Sequence, residues 1–169
     1  QIIADRGLRL VSGFGLTVGS AVVAGMLGRL YAQGLPSLDR SLYLRPFPQS
    51  TPAGFDEAGF RRRYREDMMQ QAGICIFIGG TRQGALGLES AQGVIEEYEI
   101  ARTIGKVVIP VAIGGGAAVD IWRLLAANGG AAAAHLPDEL FQRLGQTGGS
   151  VEDTCAAIAA AVDSVVRRA

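Results

Sequence analysis

Three kinds of residue in this chain can do chemistry on a phosphorylated ligand. They are glycines at the ends of apolar runs, arginines beside those ends, and one glutamate early in a helix. The stretch Ser12-Gly13-Phe14-Gly15-Leu16-Thr17-Val18-Gly19-Ser20 joins the apolar run Leu8-Arg9-Leu10-Val11 to a helix-like segment. Residues without a Cβ let the backbone turn sharply and approach a ligand, and the N–H groups of a first helical turn then face an anion. Gly13, Gly15 and Gly19 are spaced as GxGxxxG, one residue off the dinucleotide fingerprint, and no acidic residue ends a following strand at the usual distance. The spacing therefore supports either a nucleotide phosphate site or a tight strand-to-helix connection in which glycine only relieves crowding. Arg45 and Arg65 are candidate bidentate partners of a phosphate, and Glu97 is a candidate hydrogen-bond acceptor.

Composition sets the frame these residues need. The 169 residues suit one domain with a core, and 49% hydrophobic with 19% charged residues is ordinary for an α/β protein. Sixteen basic residues balance sixteen acidic ones, which gives no reason to expect nucleic acid or an anionic membrane as partner, so any anion site is local. The apolar stretches break before a membrane span is reached and no leader pattern is present, so the chain reads as cytoplasmic. Cys75 and Cys155 lie in apolar settings far apart, and His135 has no second ligand nearby, so no metal site is expected and both cysteines read as buried.

In chain order, Gln1 to Gly7 reads as the last turn of a helix closed by glycine, which places a first strand upstream and makes the sequence a piece of a multidomain protein. Strand Leu8 to Ser12 follows, then a helix from about Gly19 to Gln33 with Val22, Val23, Met26, Leu27 and Leu30 on one face. Ser41 to Leu44 is a short strand whose end runs into Arg45-Pro46-Phe47-Pro48-Gln49, a loop because two prolines remove ladder donors. A helix over Phe55 to Ala72 carries a charged, solvated face. Ile74 to Ile78 has the continuous apolar character of a parallel strand buried on both sides. After it, Gly79-Gly80-Thr81-Arg82 opens a glycine-rich loop to Ser90. Helix Ala91 to Ile104, with Val94, Ile95, Tyr98, Ala101 and Ile104 inward, leads to strand Lys106 to Ala112. Gly114 to Gly116 turns into a helix around Val119 to Ala127, Asn128 to Ala134 reads as a mobile low-complexity segment, and Ser150 with Asp153 opens a last helix to Val166. Strand and helix alternate, so the expected architecture is a Rossmann-like open parallel sheet flanked by helices.

Five motifs in order carry a resemblance: Val11-Ser12-Gly13-Phe14-Gly15, Leu44-Arg45-Pro46-Phe47-Pro48, Tyr64-Arg65-Glu66-Asp67-Met68, Phe77-Ile78-Gly79-Gly80, and Gly93 through Ala101. Between Gly7 and Pro110 the chain resembles the SLOG family, and more narrowly the SLOG domains that associate with sirtuin-like or TIR domains in the Thoeris type of bacterial antiphage defence. The resemblance implies a single domain that binds a cyclic ADP-ribose isomer or related ADP-ribose nucleotide, made by a TIR-domain protein, and that switches on a fused upstream effector such as a sirtuin-like NAD-consuming domain. A homodimer or larger homo-oligomer is the implied assembly, with no cofactor and no catalytic residue in this domain. The phosphates are then expected between the Gly13 to Gly19 turn, Gly79-Gly80-Thr81 and an arginine, Arg45 before Arg65, with Phe47 beside them. Related phosphoribohydrolases use a contiguous PGGxGTxxE motif. Here Ile78-Gly79-Gly80 lacks the proline and is separated from Gly93-Val94-Ile95-Glu96-Glu97, so binding is favoured over hydrolysis. A nucleotide phosphoribohydrolase or N-glycosidase using Glu97 is the alternative, and a purely structural or oligomerising domain is the third reading.

Overall fold

The structure is a computed structural model that describes residues 1–15, 18–34, 37–48 and 50–168. The chain divides into two compact units, Gln1–Gln71 and Ala72–Ala169.

The first unit opens on a single helical turn, α1 (Ile2–Asp5), followed by β1 (Leu10–Ser12), α2 (Gly19–Ala32), the short α3 (Leu38–Ser41), β2 (Leu42–Leu44) and α4 (Glu57–Gln70). Strand β1 pairs parallel to β2, with Leu10 opposite Leu42 and Ser12 opposite Leu44. Both strands are shorter than the sequence pattern predicts: Leu8 and Arg9 precede the ladder, and Ser41 closes α3 instead of opening β2. Helix α2 buries Val23, Met26 and Leu30, steps of three and four that keep one face inward. Met26 and Leu30 form a small core with Ala4, covered by Ile3, Leu10, Leu38 and Leu42. An Asp5–Arg29 ion pair, and Gln33 Nε2 donating to Asp5 Oδ1 at 3.2 Å, tie α1 to α2. Asp56 caps α4 by accepting the Gly59 N–H at 2.6 Å. The i,i+4 pairs Arg61–Glu57 and Arg62–Glu66 lie on its exposed side, the solvated face that its charge pattern predicts.

The second unit contains β3 (Ile74–Ile78), β4 (Thr81–Gly84), β5 (Gly87–Ser90), α5 (Gln92–Thr103), β6 (Val107–Val111), a 3-10 turn (Ala112–Gly114), α6 (Gly116–Ala127), α7 (Gly130–Ala133), α8 (Asp138–Leu144) and α9 (Val151–Val166). Strand β3 pairs parallel to β6 from Ile74–Val107 through Ile78–Val111. Each unit thus holds one parallel pair flanked by helices, the arrangement expected of a Rossmann-like sheet. Its core joins Ile109 and Val111 of β6 with Ile121 and Leu125 of α6, Phe141 and Leu144 of α8, and Ala161 and Val162 of α9. Trp122 stacks on Phe141 at 5.2 Å and donates its indole N–H to the Phe141 carbonyl at 3.0 Å. Ser150 caps α9, accepting the Asp153 N–H at 3.0 Å.

Four expectations are corrected here. Residues 79–90 are not a loop: β4 and β5 form an antiparallel hairpin, Thr81 opposite Ser90, clasped by an Arg82–Glu89 ion pair at 2.6 Å. Residues 128–134 are not a loose segment, since α7 forms there and Ala134 and Leu136 are buried. Ile104 is exposed at the end of α5, where Ile100 takes the inward position. Finally, Cys155 is exposed, because the inward stripe of α9 runs through Ala157, Ile158, Ala161 and Val162 and Cys155 falls beside it.

Cys75 is buried, and burial first, with a smaller contribution from the Glu97 charge, pushes its thiol up to about 11 against the opposing pull of Lys106. At pH 8 a thiol of that pKa is about one part in a thousand thiolate, so it is a poor nucleophile. Iodoacetamide at pH 8 is therefore expected to label Cys155 in the native chain and to spare Cys75. In a Cys155→Ser variant, labelling of Cys75 should rise about tenfold per unit from pH 8 to 10. Mass spectrometry of tryptic peptides reads both outcomes. No helix among the described residues is long and apolar enough to cross a membrane.

Candidate functional site

Because β1 and β2 run in the same direction, their carboxyl ends deliver the glycine turn and the Arg45 loop to one edge of the first unit. The Arg45 N–H donates to the Ser12 carbonyl at 2.9 Å, so the two chain segments leave the sheet side by side. Beyond Ser12 the backbone turns through Phe14, a bulky residue with φ of +53° whose N–H donates to Ser12 Oγ at 3.1 Å. Gly15 accepts the Gly19 N–H at 3.0 Å, and Gly19 opens α2 with Ser20 exposed after it. Two glycines of the turn stand at points of close approach. A Cβ on Gly13 would lie 3.1 Å from the sulfur of Met68 on α4, and a Cβ on Gly19 would lie 2.8 Å from the Phe14 carbonyl carbon. Leu16, also expected at the site, lies outside the described residues.

Arg45 is held on three sides. Its Nη1 donates to the Tyr43 hydroxyl at 3.0 Å, its Nη2 pairs with Asp67, and its guanidinium lies 4.8 Å from the centre of the Tyr64 ring. Hydrogen bonding to Tyr43, then to Tyr64, with the Asp67 charge adding and burial opposing, keeps the guanidinium protonated well above the ordinary arginine range. The Tyr64 hydroxyl donates to the Pro46 carbonyl at 2.7 Å, and Phe47 packs edge-on against Tyr64 at 5.3 Å. Arg65 then lies over the Phe47 ring at 4.7 Å. Arg45, Phe47 and Arg65 are thereby brought into one row, with the Tyr64 and Phe47 rings between the two cations. Tyr43, Tyr64 and Asp67 complete it, and none of the three was expected as a site residue. Tyr64, Asp67 and Met68 are related by i,i+3 and i,i+4 steps along α4, the one signal that places them on a common face.

In the second unit Gly79, Gly80 and Thr81 follow the carboxyl end of β3, as expected. The carbonyls of the two glycines are occupied within the unit. The Gly80 carbonyl accepts N–H groups from Ala91 at 2.7 Å and Ala117 at 3.1 Å, and the Gly79 carbonyl accepts that of Ala118 at 2.9 Å. This glycine turn therefore caps the start of α6, using donors that a phosphate would otherwise find there. At the same corner the Ser90 hydroxyl donates to Asp120, fastening the hairpin base to α6. Glu97 is half-buried in α5, and its carboxylate acts on the Cys75 thiol.

What this edge offers chemically is a pre-oriented guanidinium beside a glycine turn, a group suited to anion recognition. The chain is 35% identical over 120 residues to the NAD(+) hydrolase ThsA of Cytobacillus dafuensis, which is 71% of this chain and 24% of the relative. It is 39% identical over 118 residues to the NAD(+) hydrolase ThsA of Bacillus cereus strain MSX-D12, covering 69% and 24%. The protein of the same name from Enterococcus faecium is 32% identical over 115 residues, covering 68% and 23%. The chain thus spans about a quarter of the length of these relatives. Over residues 1–165 it matches the profile of the Sir2- and TIR-associating SLOG family, and it belongs to that family.

Proposed function

We propose that this chain is a ligand-sensing domain that binds a cyclic ADP-ribose isomer, or a related ADP-ribose nucleotide, and thereby controls a fused NAD-consuming effector in antiphage defence. Family membership supports the sensing role, and relatives named NAD(+) hydrolases that are about four times as long as the match support a fused effector. The observation that carries the reading is Arg45, fixed beside Ser12 and the glycine turn with its guanidinium already oriented. A pyrophosphate needs donors that are in place before it arrives, because ordering a long side chain on binding lowers affinity. Arg65, stacked on Phe47, is the second arginine of the same edge. Binding is expected to act through subunit rearrangement in a homo-oligomer, since an allosteric readout needs two states that the ligand distinguishes.

Isothermal titration of ADP-ribose and cyclic ADP-ribose isomers into the 169-residue chain tests the reading directly. Saturable binding by the wild type is the expected result, and no heat with any of them would overturn it. The same preparation is expected to release no nicotinamide from NAD. The alternative, hydrolysis through Glu97, predicts release that Glu97→Gln abolishes, and seeing that would reverse the assignment of this domain as a sensor.

A further inference from the structure

The Arg45 guanidinium already has an anion. We infer that Asp67 is a built-in competitor for the phosphate site, a specificity-determining carboxylate that an incoming phosphate must displace from Arg45. The inference rests on the sensing role proposed above and adds what selects the ligand.

Geometry separates the three partners of Arg45 into two that leave room for an anion and one that does not. Tyr64 sets its ring 4.8 Å from the guanidinium and its hydroxyl in hydrogen-bond contact with it, and the Tyr43 hydroxyl takes one N–H of Nη1, neither of them an anion. A phosphate gripped by the two-pronged edge uses N–H groups of two nitrogens, and Asp67 holds Nη2. The scaffold does not depend on that ion pair. Helix α4 is fastened to the Arg45–Pro48 loop by the Tyr64 hydroxyl on the Pro46 carbonyl, by Phe47 against Tyr64, and by Met68 under Gly13. Opening the Arg45–Asp67 pair therefore frees a donor edge while the glycine turn and the loop stay in register. The pair is also open to water, with 26% and 48% of the two side chains exposed, so exchange is cheap. The carboxylates that precede Asp67 on α4 are engaged elsewhere, Glu57 with Arg61 and Glu66 with Arg62.

The chemical consequence is a filter. An anion that offers only charge must open the pair and then sit beside a liberated carboxylate that repels it. A nucleotide that also brings ribose hydroxyls can donate one to that carboxylate and offset the repulsion. Asp67 thus discriminates ADP-ribose-type ligands from inorganic phosphates, which abound in any cell.

The test is calorimetric titration of inorganic pyrophosphate and of ADP-ribose into the wild-type chain, Asp67→Asn, Arg45→Ala and the double variant, with Asp67→Ser as a second neutral replacement should Asp67→Asn melt poorly. Asp67→Asn is expected to tighten pyrophosphate binding about three- to fivefold, the range of a partly exposed ion pair, while ADP-ribose changes by less than about twofold. On the Arg45→Ala background the same change should move pyrophosphate by less than about twofold, because the competition is gone. Weaker pyrophosphate binding by Asp67→Asn, no change, or equal tightening of both probes would overturn the inference. Pyrophosphate binding without ADP-ribose binding by the wild type would overturn the nucleotide-sensing role instead, and the gain on pyrophosphate would still decide the part played by Asp67. If no variant binds either probe, both fall.

Discussion

Arg45→Ala should weaken ADP-ribose binding by about ten- to over a hundredfold, the effect of losing a charge-assisted contact worth roughly 1.5 to 3 kcal/mol. The upper part of that range is expected, for two reasons that the structure makes specific. Truncation removes a guanidinium that is already oriented by Tyr43 and Tyr64, so the wild type spends little on ordering it and the variant has nothing to put in its place. Arg45 is also the cation for which Asp67 and the phosphate compete, so its removal takes away the donor edge itself. Arg45→Lys separates charge from shape. A lysine keeps the charge but loses the planar fork and the stacking on Tyr64, so an intermediate loss is expected, nearer to alanine than to wild type. Titration calorimetry at two salt concentrations reads the result, and the variant's cooperative melt must match wild type for the comparison to count. Unchanged affinity in Arg45→Ala would move the phosphate away from the β1–β2 edge.

Much of the edge was legible in the sequence, because each strand end announces itself locally. Gly13 to Gly19 and Arg45-Pro46-Phe47-Pro48 both interrupt apolar runs with residues that cannot continue a ladder, and both fall where β1 and β2 end. The β3 strand was legible for the same reason, being five apolar residues closed by two glycines, and so was the start of α9 from Ser150 and Asp153. What could not be read is what tertiary packing decides. Tyr43, Tyr64 and Asp67 matter only because α4 is laid against the loop after β2, and nothing local to Tyr64-Arg65-Glu66-Asp67 says which of two adjacent carboxylates turns toward Arg45 and which toward Arg62. The β4–β5 hairpin was hidden because Thr81-Arg82-Gln83 and Leu88-Glu89-Ser90 have no buried face to create an alternation. Its backbone ladder and the Arg82–Glu89 pair hold it instead. Residues 128–134 misled in the opposite direction. Glycine and alanine suggest a chain with nothing to bury, yet α7 forms there and Ala134 is fully buried at its end.

Gly116→Ala should cost the second unit about 2 to 4 kcal/mol, because two penalties meet at that position. The backbone there has φ of +60°, a conformation that costs an L residue with a Cβ on the order of 1 kcal/mol or more. In addition, the Cβ would lie 2.8 Å from the carbonyl carbon and oxygen of Gly80 and 2.8 Å from the Thr81 methyl. Those backbone atoms cannot retreat freely, since the Gly80 carbonyl accepts from Ala91 and Ala117 and so joins the start of α5 to the start of α6. Relieving the overlap means loosening one of those bonds, which uncaps a helix and shifts the base of the hairpin. Gly105→Ala is the matched control: its φ is +71°, but nothing lies within 4 Å of the added carbon, so it carries the conformational penalty alone. The expected order in urea denaturation is wild type, then Gly105→Ala lower by about 1 kcal/mol, then Gly116→Ala lower by at least twice that. Equal losses for the two variants would mean that the contact between Gly116 and Gly80 is looser than its geometry implies, and that the turn after β3 is free to move.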